Sequence, residues 1–136
     1  MKKLLVVIAL LCIISTVVPP VSAATSEPAQ PLFVYINSVT AGLTINDTWG
    51  IANCSGSMVS CSATPVKVTV RLQQYKDGSW LTLKTWTGTG TTSCAASGQY
   101  AISSGYTYRV SVTGYVLNSE GVILESGNAK KTVSYP

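Results

Sequence analysis

Apolar and polar residues alternate strictly along two stretches of the chain, and that alternation sets the fold class. From Tyr106 onward, Tyr106, Tyr108, Val110, Val112 and Val116 share one side, while Thr107, Arg109, Ser111 and Thr113 share the other. In the second stretch, Val66, Val68, Val70 and Leu72 oppose Lys67, Thr69, Arg71 and Gln73. A period of two belongs to a strand with one buried and one solvated face, the usual condition in antiparallel sheets. Weaker versions recur along the rest of the chain. Leu32 to Ile45 predicts a first β region that starts on Phe33-Val-Tyr-Ile36, with Gly42 expected at a bend or bulge. Thr48 to Cys54 predicts a strand with Ala52 and Cys54 inward, and Trp80 to Thr87 another, in which Leu81 and Leu83 alternate with Thr82 and Lys84. Ser93 to Ile102 reads as a strand of small residues. Val122–Glu125 and Lys130–Tyr135 read as an interrupted last strand, with Ser126-Gly127-Asn128 as its bulge.

Turn chemistry falls between these runs. Asn46-Asp47, Lys76-Asp77-Gly78-Ser79, Ser103-Ser104-Gly105 and Asn118-Ser-Glu-Gly121 carry the residues that tight turns use. A Ser/Gly loop is expected from the end of the second strand through Ser62, and a Gly/Thr loop over Gly88–Thr92. No helical period of useful length follows residue 23. About seven short strands separated by turns predict an all-β fold, an immunoglobulin-like antiparallel β-sandwich, with a small barrel as the alternative.

The N-terminus has a different character. Met1-Lys2-Lys3 is a basic start, Leu4 to Val18 is apolar, Pro19-Pro20 breaks the run, and Val21-Ser22-Ala23 offers small residues for cleavage. Residues 1–23 are therefore expected to be a secretory signal peptide, 24–31 a flexible leader, and 32–136 one domain. The apolar run is short for a spanning helix, so a secreted or surface-associated protein is expected, with no membrane contact after cleavage. Loss of Lys2 and Lys3 lowers a net charge that is only +4 to begin with, which argues against a nucleic-acid partner.

Cys12 would leave with the signal peptide. Cys54, Cys61 and Cys94 remain, an odd number that predicts one disulfide plus one thiol that is free or pairs between molecules. Sequence leaves all three pairings open. No metal site is expected, because zinc usually takes four ligands and the chain has no histidine to complete a set.

The segment Ile102-x-x-Gly105-x-x-Tyr108-x-Val110-x-Val112 resembles the penultimate strand of fibronectin type III and immunoglobulin-like domains. There a tyrosine after a tight turn anchors the corner of the sandwich. A second pattern is Leu72-Gln-Gln-Tyr-Lys-Asp-Gly-Ser-Trp80, then Trp86, then Gly105-Tyr-Thr-Tyr-Arg109, behind a signal peptide. It resembles a family of small exported proteins of unknown function from Gram-positive, chiefly clostridia-like, bacteria. The resemblance implies export and carries over no catalytic or ligand-binding residue.

Catalytic constellations are hard to assemble from this composition. Ser-His-Asp or Cys-His chemistry lacks its base, since the chain has zero histidines. Paired-carboxylate chemistry needs two acids converging on a cleft. Glu27 falls in the leader, while Asp47, Asp77 and Glu120 fall in turns, leaving Glu125 alone. The fragments Asn46-Asp47-Thr48 and Asn118-Ser-Glu120 read as turns rather than calcium ligands. We therefore expect no enzyme and no cofactor. Aromatic residues are the one feature that suggests binding. If Leu81 and Leu83 face inward, Trp80 and Trp86 lie on the outer face with Tyr75, where flat rings could stack on a sugar. Arg109 marks the outward face of the most regular strand. The expected function is an exported binding module for an extracellular glycan or protein, using Tyr75, Trp80 and Trp86. Two alternatives are a structural or self-associating surface protein, including a homodimer through edge strands, and a secreted antagonist of competitors.

Overall fold

The computed structural model describes residues 32–136; the expected signal peptide (1–23) and leader (24–31) lie outside the described residues. Seven strands follow in order: β1 (Ile36–Asn46), β2 (Ile51–Ser60), β3 (Pro65–Lys76), β4 (Ser79–Thr91), β5 (Ser93–Ala101), β6 (Tyr106–Leu117) and β7 (Ile123–Tyr135). They form two antiparallel sheets with strand orders β1-β2-β5 and β4-β3-β6-β7. The expected immunoglobulin-like β-sandwich is what the chain forms.

The two regular stretches become the central strands β3 and β6, which pair along nearly their whole length, from Val66 opposite Val116 to Tyr75 opposite Thr107. Their apolar sides are Val66, Val68, Val70 and Leu72 on β3, and Tyr108, Val110, Val112 and Val116 on β6, all at most 1 % exposed. Ile36, Leu43, Ala52, Cys54 and Met58 of the smaller sheet close over them. Each valine, leucine, isoleucine or methionine among them contributes roughly 1.5–3 kcal/mol by leaving water. The corner after β5 is tied by Tyr108, whose hydroxyl donates to the Ser103 carbonyl at 2.6 Å and accepts from Ser103 N–H and Gln74 Nε2, both at 3.2 Å.

The Asp77-Gly78 hairpin turn forms as expected, with φ of 53° and 80° at its two central residues. Two positive φ angles in succession match the right-handed twist of the strands they join. Asn118 shapes the β6–β7 turn by accepting from Glu120 N–H and Val122 N–H through Oδ1, each at 2.9 Å.

Several glycines expected in loops or bulges lie instead within regular strand, for a steric reason. The expected Ser/Gly loop is the second half of β2, where a Cβ on Gly56 would meet Val70 and Val112 of the facing sheet at 2.6 and 2.7 Å. The expected Gly88–Thr92 loop is mostly β4 continuing to Thr91. Side chains on Gly88 and Gly90 would strike the backbone of Ala95 and Ser93 on β5. The last strand is continuous through Ser126-Gly127-Asn128. Gly127 is buried beneath Phe33 and Ile36, whose atoms lie 3.0 and 3.2 Å from where its Cβ would stand. Gly42 likewise stays in register opposite Ser55. The register shifts fall elsewhere: between Ile36 and Ser38, between Leu72 and Gln73 against β4, and between Val116 and Leu117 against β7. Small residues here mark close approach of a facing side chain or backbone, which period-two patterning does not distinguish from a turn.

Chain entry to the domain is pinned by one carboxylate. Glu125 accepts the N–H groups of Val34, Tyr35 and Ile36 at 2.7, 2.8 and 2.7 Å. Desolvation works to raise this carboxyl, but the three amides outweigh it and hold it below the usual carboxylate range.

Candidate aromatic and cationic face

The outer face of the four-stranded sheet carries the residues with binding chemistry. On β3 the outward positions are Lys67, Thr69, Arg71, Gln73 and Tyr75, and on β6 they are Thr107, Arg109, Ser111, Thr113 and Tyr115, because these alternate with the core residues. On β4 the parity changes once. Tyr75 pairs with Trp80 and Gln73 with Thr82, but Leu72 pairs with Lys84 and Val70 with Trp86. One strand therefore has an extra residue, Leu83, and every position beyond it turns over.

This bulge separates the two tryptophans. Trp80 stays outside beside Tyr75, with ring centroids 5.2 Å apart and tilted at 56°. Trp86 turns inward on the side of Val70 and packs on the core, over Gly98 of β5. The expected three-ring platform of Tyr75, Trp80 and Trp86 is thus corrected to a pair. Strict alternation over Trp80–Thr87 misplaces Trp86 because it counts straight through the bulge. Trp49 is 74 % exposed and belongs to the β1–β2 turn, away from this face.

A third group joins the pair. The Arg109 guanidinium lies over the Trp80 ring, its central carbon 4.1 Å from the centroid. Its Nε donates to Gln73 Oε1 at 2.7 Å, and Gln73 Nε2 donates to Thr82 at 3.1 Å. Such a cation–π contact is worth about 0.5–2 kcal/mol. Its effect here is to fix the orientation of a side chain that would otherwise sample many rotamers. Trp80 and Gln73 hold the stem and Nε, and the terminal Nη groups can meet an incoming acceptor. Sequence parity puts Gln73, Tyr75 and Arg109 on outward positions. That β3 and β6 are neighbours, in this register, is what brings them together.

The rest of the face is cationic and hydroxyl-rich. Across the sheet, Thr85, Arg71, Ser111 and Lys130 form one row, and Thr87, Thr69, Thr113 and Asn128 the next. A third row holds Thr89, Lys67, Tyr115 and Ser126. Lys67, Thr69, Arg71, Tyr115 and Ile123 help to line a shallow groove of about 360 Å3. No carboxylate among the described residues holds an outward strand position on this face: Asp47, Asp77 and Glu120 are at turns, Glu120 beside the groove-lining Gly121, and Glu125 is on the amides of Val34–Ile36.

The cysteines do not form the expected disulfide. Cys54, Cys61 and Cys94 are all free thiols. Cys54 pairs with Gly98 and Met58 with Cys94, so the two inward cysteines are four positions out of register. That is about 13 Å along the strand, beyond the roughly 7 Å a disulfide allows. Cys61 is exposed just past β2, and the extended strand keeps it from Cys54, where a loop over 55–62 would have let them meet. Burial pushes the Cys54 thiol up to about 11 and raises Cys94 as well. No group of His, Cys, Asp and Glu among the described residues could hold a metal ion.

No known family model matches this chain, and no curated protein sequence matches it.

Proposed function

We propose that this chain is an exported, non-enzymatic binding module that holds an extracellular glycan on the outer face of its four-stranded sheet. The observation that supports this best is the Arg109 guanidinium fixed over Trp80 and bonded to Gln73, next to the 46 %-exposed ring of Tyr75. Ordering a long cationic side chain in the free protein lowers the entropy lost when a ligand binds, which is how a preorganised site gains affinity. Tyr75 supplies an apolar ring face for a sugar, and Arg109 supplies donors for its oxygens. The rows of Thr and Ser hydroxyls extend a hydrogen-bonding surface away from this end.

The test is titration of the purified domain with soluble dextran, polygalacturonate, dextran sulfate and peptidoglycan fragments, read by tryptophan emission and calorimetry. Saturable binding to at least one is expected, with the emission change lost in Trp80→Phe. Arg109→Gln should weaken binding about tenfold or more, since a charge-assisted contact is worth roughly 1.5–3 kcal/mol. No saturable binding across the panel would sink the proposal.

A second reading has its own observation. Leu32, Val34, Val122, Ile123 and Leu124 are each at least 46 % exposed, and Glu125 brings the 32–36 segment against β7. Exposed apolar clusters of this kind suit self-association. Sedimentation equilibrium separates the readings: a dimer abolished by Ile123→Lys, with no glycan bound, supports the second.

A further inference from the structure

We infer that the ligand is a linear acidic polysaccharide, laid along the β3–β6 axis from Arg109, past Arg71, into the groove beside Lys67 and Tyr115. This rests on the binding reading above and adds the ligand's charge, its shape and the path it takes.

The argument is one of placement. Lys67, Arg71, Arg109 and Lys130 all hold outward positions on the same face, and no described carboxylate holds an outward strand position on it. A net charge of +4 over the whole chain does not show this placement, in which three of the five acids, Asp47, Asp77 and Glu120, sit at turns. Such a face attracts a polyanion. The cations also form a line. Arg109 lies opposite Gln73, Arg71 opposite Ser111, and Lys67 opposite Tyr115, so they descend the sheet from one end of β3 to the other. From Gln73 to Lys67 is six residues, about 20 Å at the rise of a strand. A single anionic group would engage one end of this path, whereas a polymer with repeating anionic groups engages all of it.

What lies between the cations favours sugar over acidic peptide. Each cationic row is flanked by hydroxyls: Thr85 and Ser111 beside Arg71, Thr107 and Thr132 beside Arg109. Thr69, 6 % exposed, helps to line the groove between Lys67 and Arg71. The path begins at Tyr75 and ends at Tyr115, an aromatic ring at each limit. Hydroxyl donors and acceptors in rows, with rings at the ends, match a chain of sugar rings bearing acid groups. An extended peptide would draw instead on the backbone of a sheet edge.

The experiment compares polygalacturonate, dextran sulfate, neutral dextran and poly-L-glutamate on the intact chain, with Lys67→Gln/Arg71→Gln and Arg109→Gln as variants. At least one acidic polysaccharide should bind and dextran should not. Affinity should fall about tenfold or more in the double variant. The decline of log affinity with log salt should also become shallower as bound charges are removed. Preference between polygalacturonate and dextran sulfate identifies carboxylate or sulfate as the anionic group. If the double variant melts early, Lys130→Gln carries the same test at a position on β7. Full affinity in the double variant, with loss in Arg109→Gln, would overturn the extended path and leave the binding reading standing. Dextran binding as tightly as the acidic polymers would overturn the charge assignment. Tighter binding of poly-L-glutamate would overturn the sugar. No binding of any of these four polymers would overturn this inference, and saturable binding to peptidoglycan fragments would then leave the reading beneath it standing.

Discussion

Gly98→Ala is the substitution that tests the inward placement of Trp86 most directly. A methyl group at this position on β5 would fall on the indole, within 2.9 Å of Cδ1 and closer still to Nε1 and Cε2. Real Cβ atoms do not approach that closely, so the ring has to move. The ring is half-buried against the core, and overpacking of this kind costs typically about 1–3 kcal/mol. The sign of the effect carries the information. Were Trp86 on the outer face, nothing from β4 would oppose the methyl, and Gly→Ala in a strand would stabilise by about 0.4–1 kcal/mol through the unfolded chain. Urea unfolding followed by far-UV circular dichroism gives the stability change, and tryptophan emission reports the displaced ring by a red shift. The same substitution in a Trp86→Leu background closes a double-mutant cycle. We expect the Gly98→Ala penalty to vanish or reverse there, a coupling of at least about 1 kcal/mol. A stabilised Gly98→Ala protein with unchanged emission, or strict additivity in the cycle, would refute the bulge at Leu83 as the origin of the face change.

Other measurements probe separate parts of the molecule. Tyr108→Phe removes a hydroxyl with three hydrogen-bond partners at a fully buried ring, and should cost about 1–3 kcal/mol in urea unfolding without altering the fold. Ellman's reagent should titrate one thiol of the domain in the native state, Cys61, and three after denaturation; a native count of zero would contradict the free, exposed Cys61. Burial of Cys54 makes stability fall as pH rises from 9.0 towards about 11, because the unfolded thiol ionises first. Cys54→Ala should flatten that decline in alkaline melting curves. At the acid end the sign is opposite. The folded carboxyl of Glu125 titrates below its ordinary 4.5, so its contribution is full above that pH and disappears as pH drops through the lower folded value. Melting temperatures of the wild type and Glu125→Gln should therefore differ at neutral pH and converge in acid.

The central pair β3 and β6 was legible in the sequence because both faces of each strand are chemically distinct. Val66–Leu72 and Tyr108–Val116 admit one register that buries the valines, and a slip of one residue would expose them all. The turns at Asp77-Gly78 and Asn118–Gly121 were legible for a similar reason, since few residues accept their geometry. Strands of small residues were not. Ser55, Gly56 and Ser57, or Gly88 and Gly90, look like loop in one dimension, and their role emerges only when the facing sheet or the neighbouring backbone is in place. The candidate site shows the same division. Tyr75, Trp80 and Arg109 could be assigned outward by parity, but their convergence depends on which strands are neighbours. Parity misplaces Trp86 because a single unpaired residue, Leu83, is invisible to a rule that counts by twos. The cysteines follow from the same cause, as a strand through 55–60 separates thiols that a loop would have allowed to meet.

The glycines of β4 have a consequence for how this domain can meet other molecules. Gly88 and Gly90 let the outer edge of one sheet sit directly on the backbone of β5 at the edge of the other. Nearer the hairpin, the Leu83 bulge breaks the ladder beside Lys84, an irregularity and a charge that oppose docking of a foreign strand. At the far side of the sandwich, the Glu125 carboxylate occupies amides that lead into β1. Amyloid-like stacking and β-augmentation both require a flat run of open peptide groups, which the bulge interrupts on β4 and the Glu125 carboxylate fills at Val34–Ile36. On the proposed binding reading, the ligand is therefore met broadside, by side chains on a surface rather than by backbone at a rim.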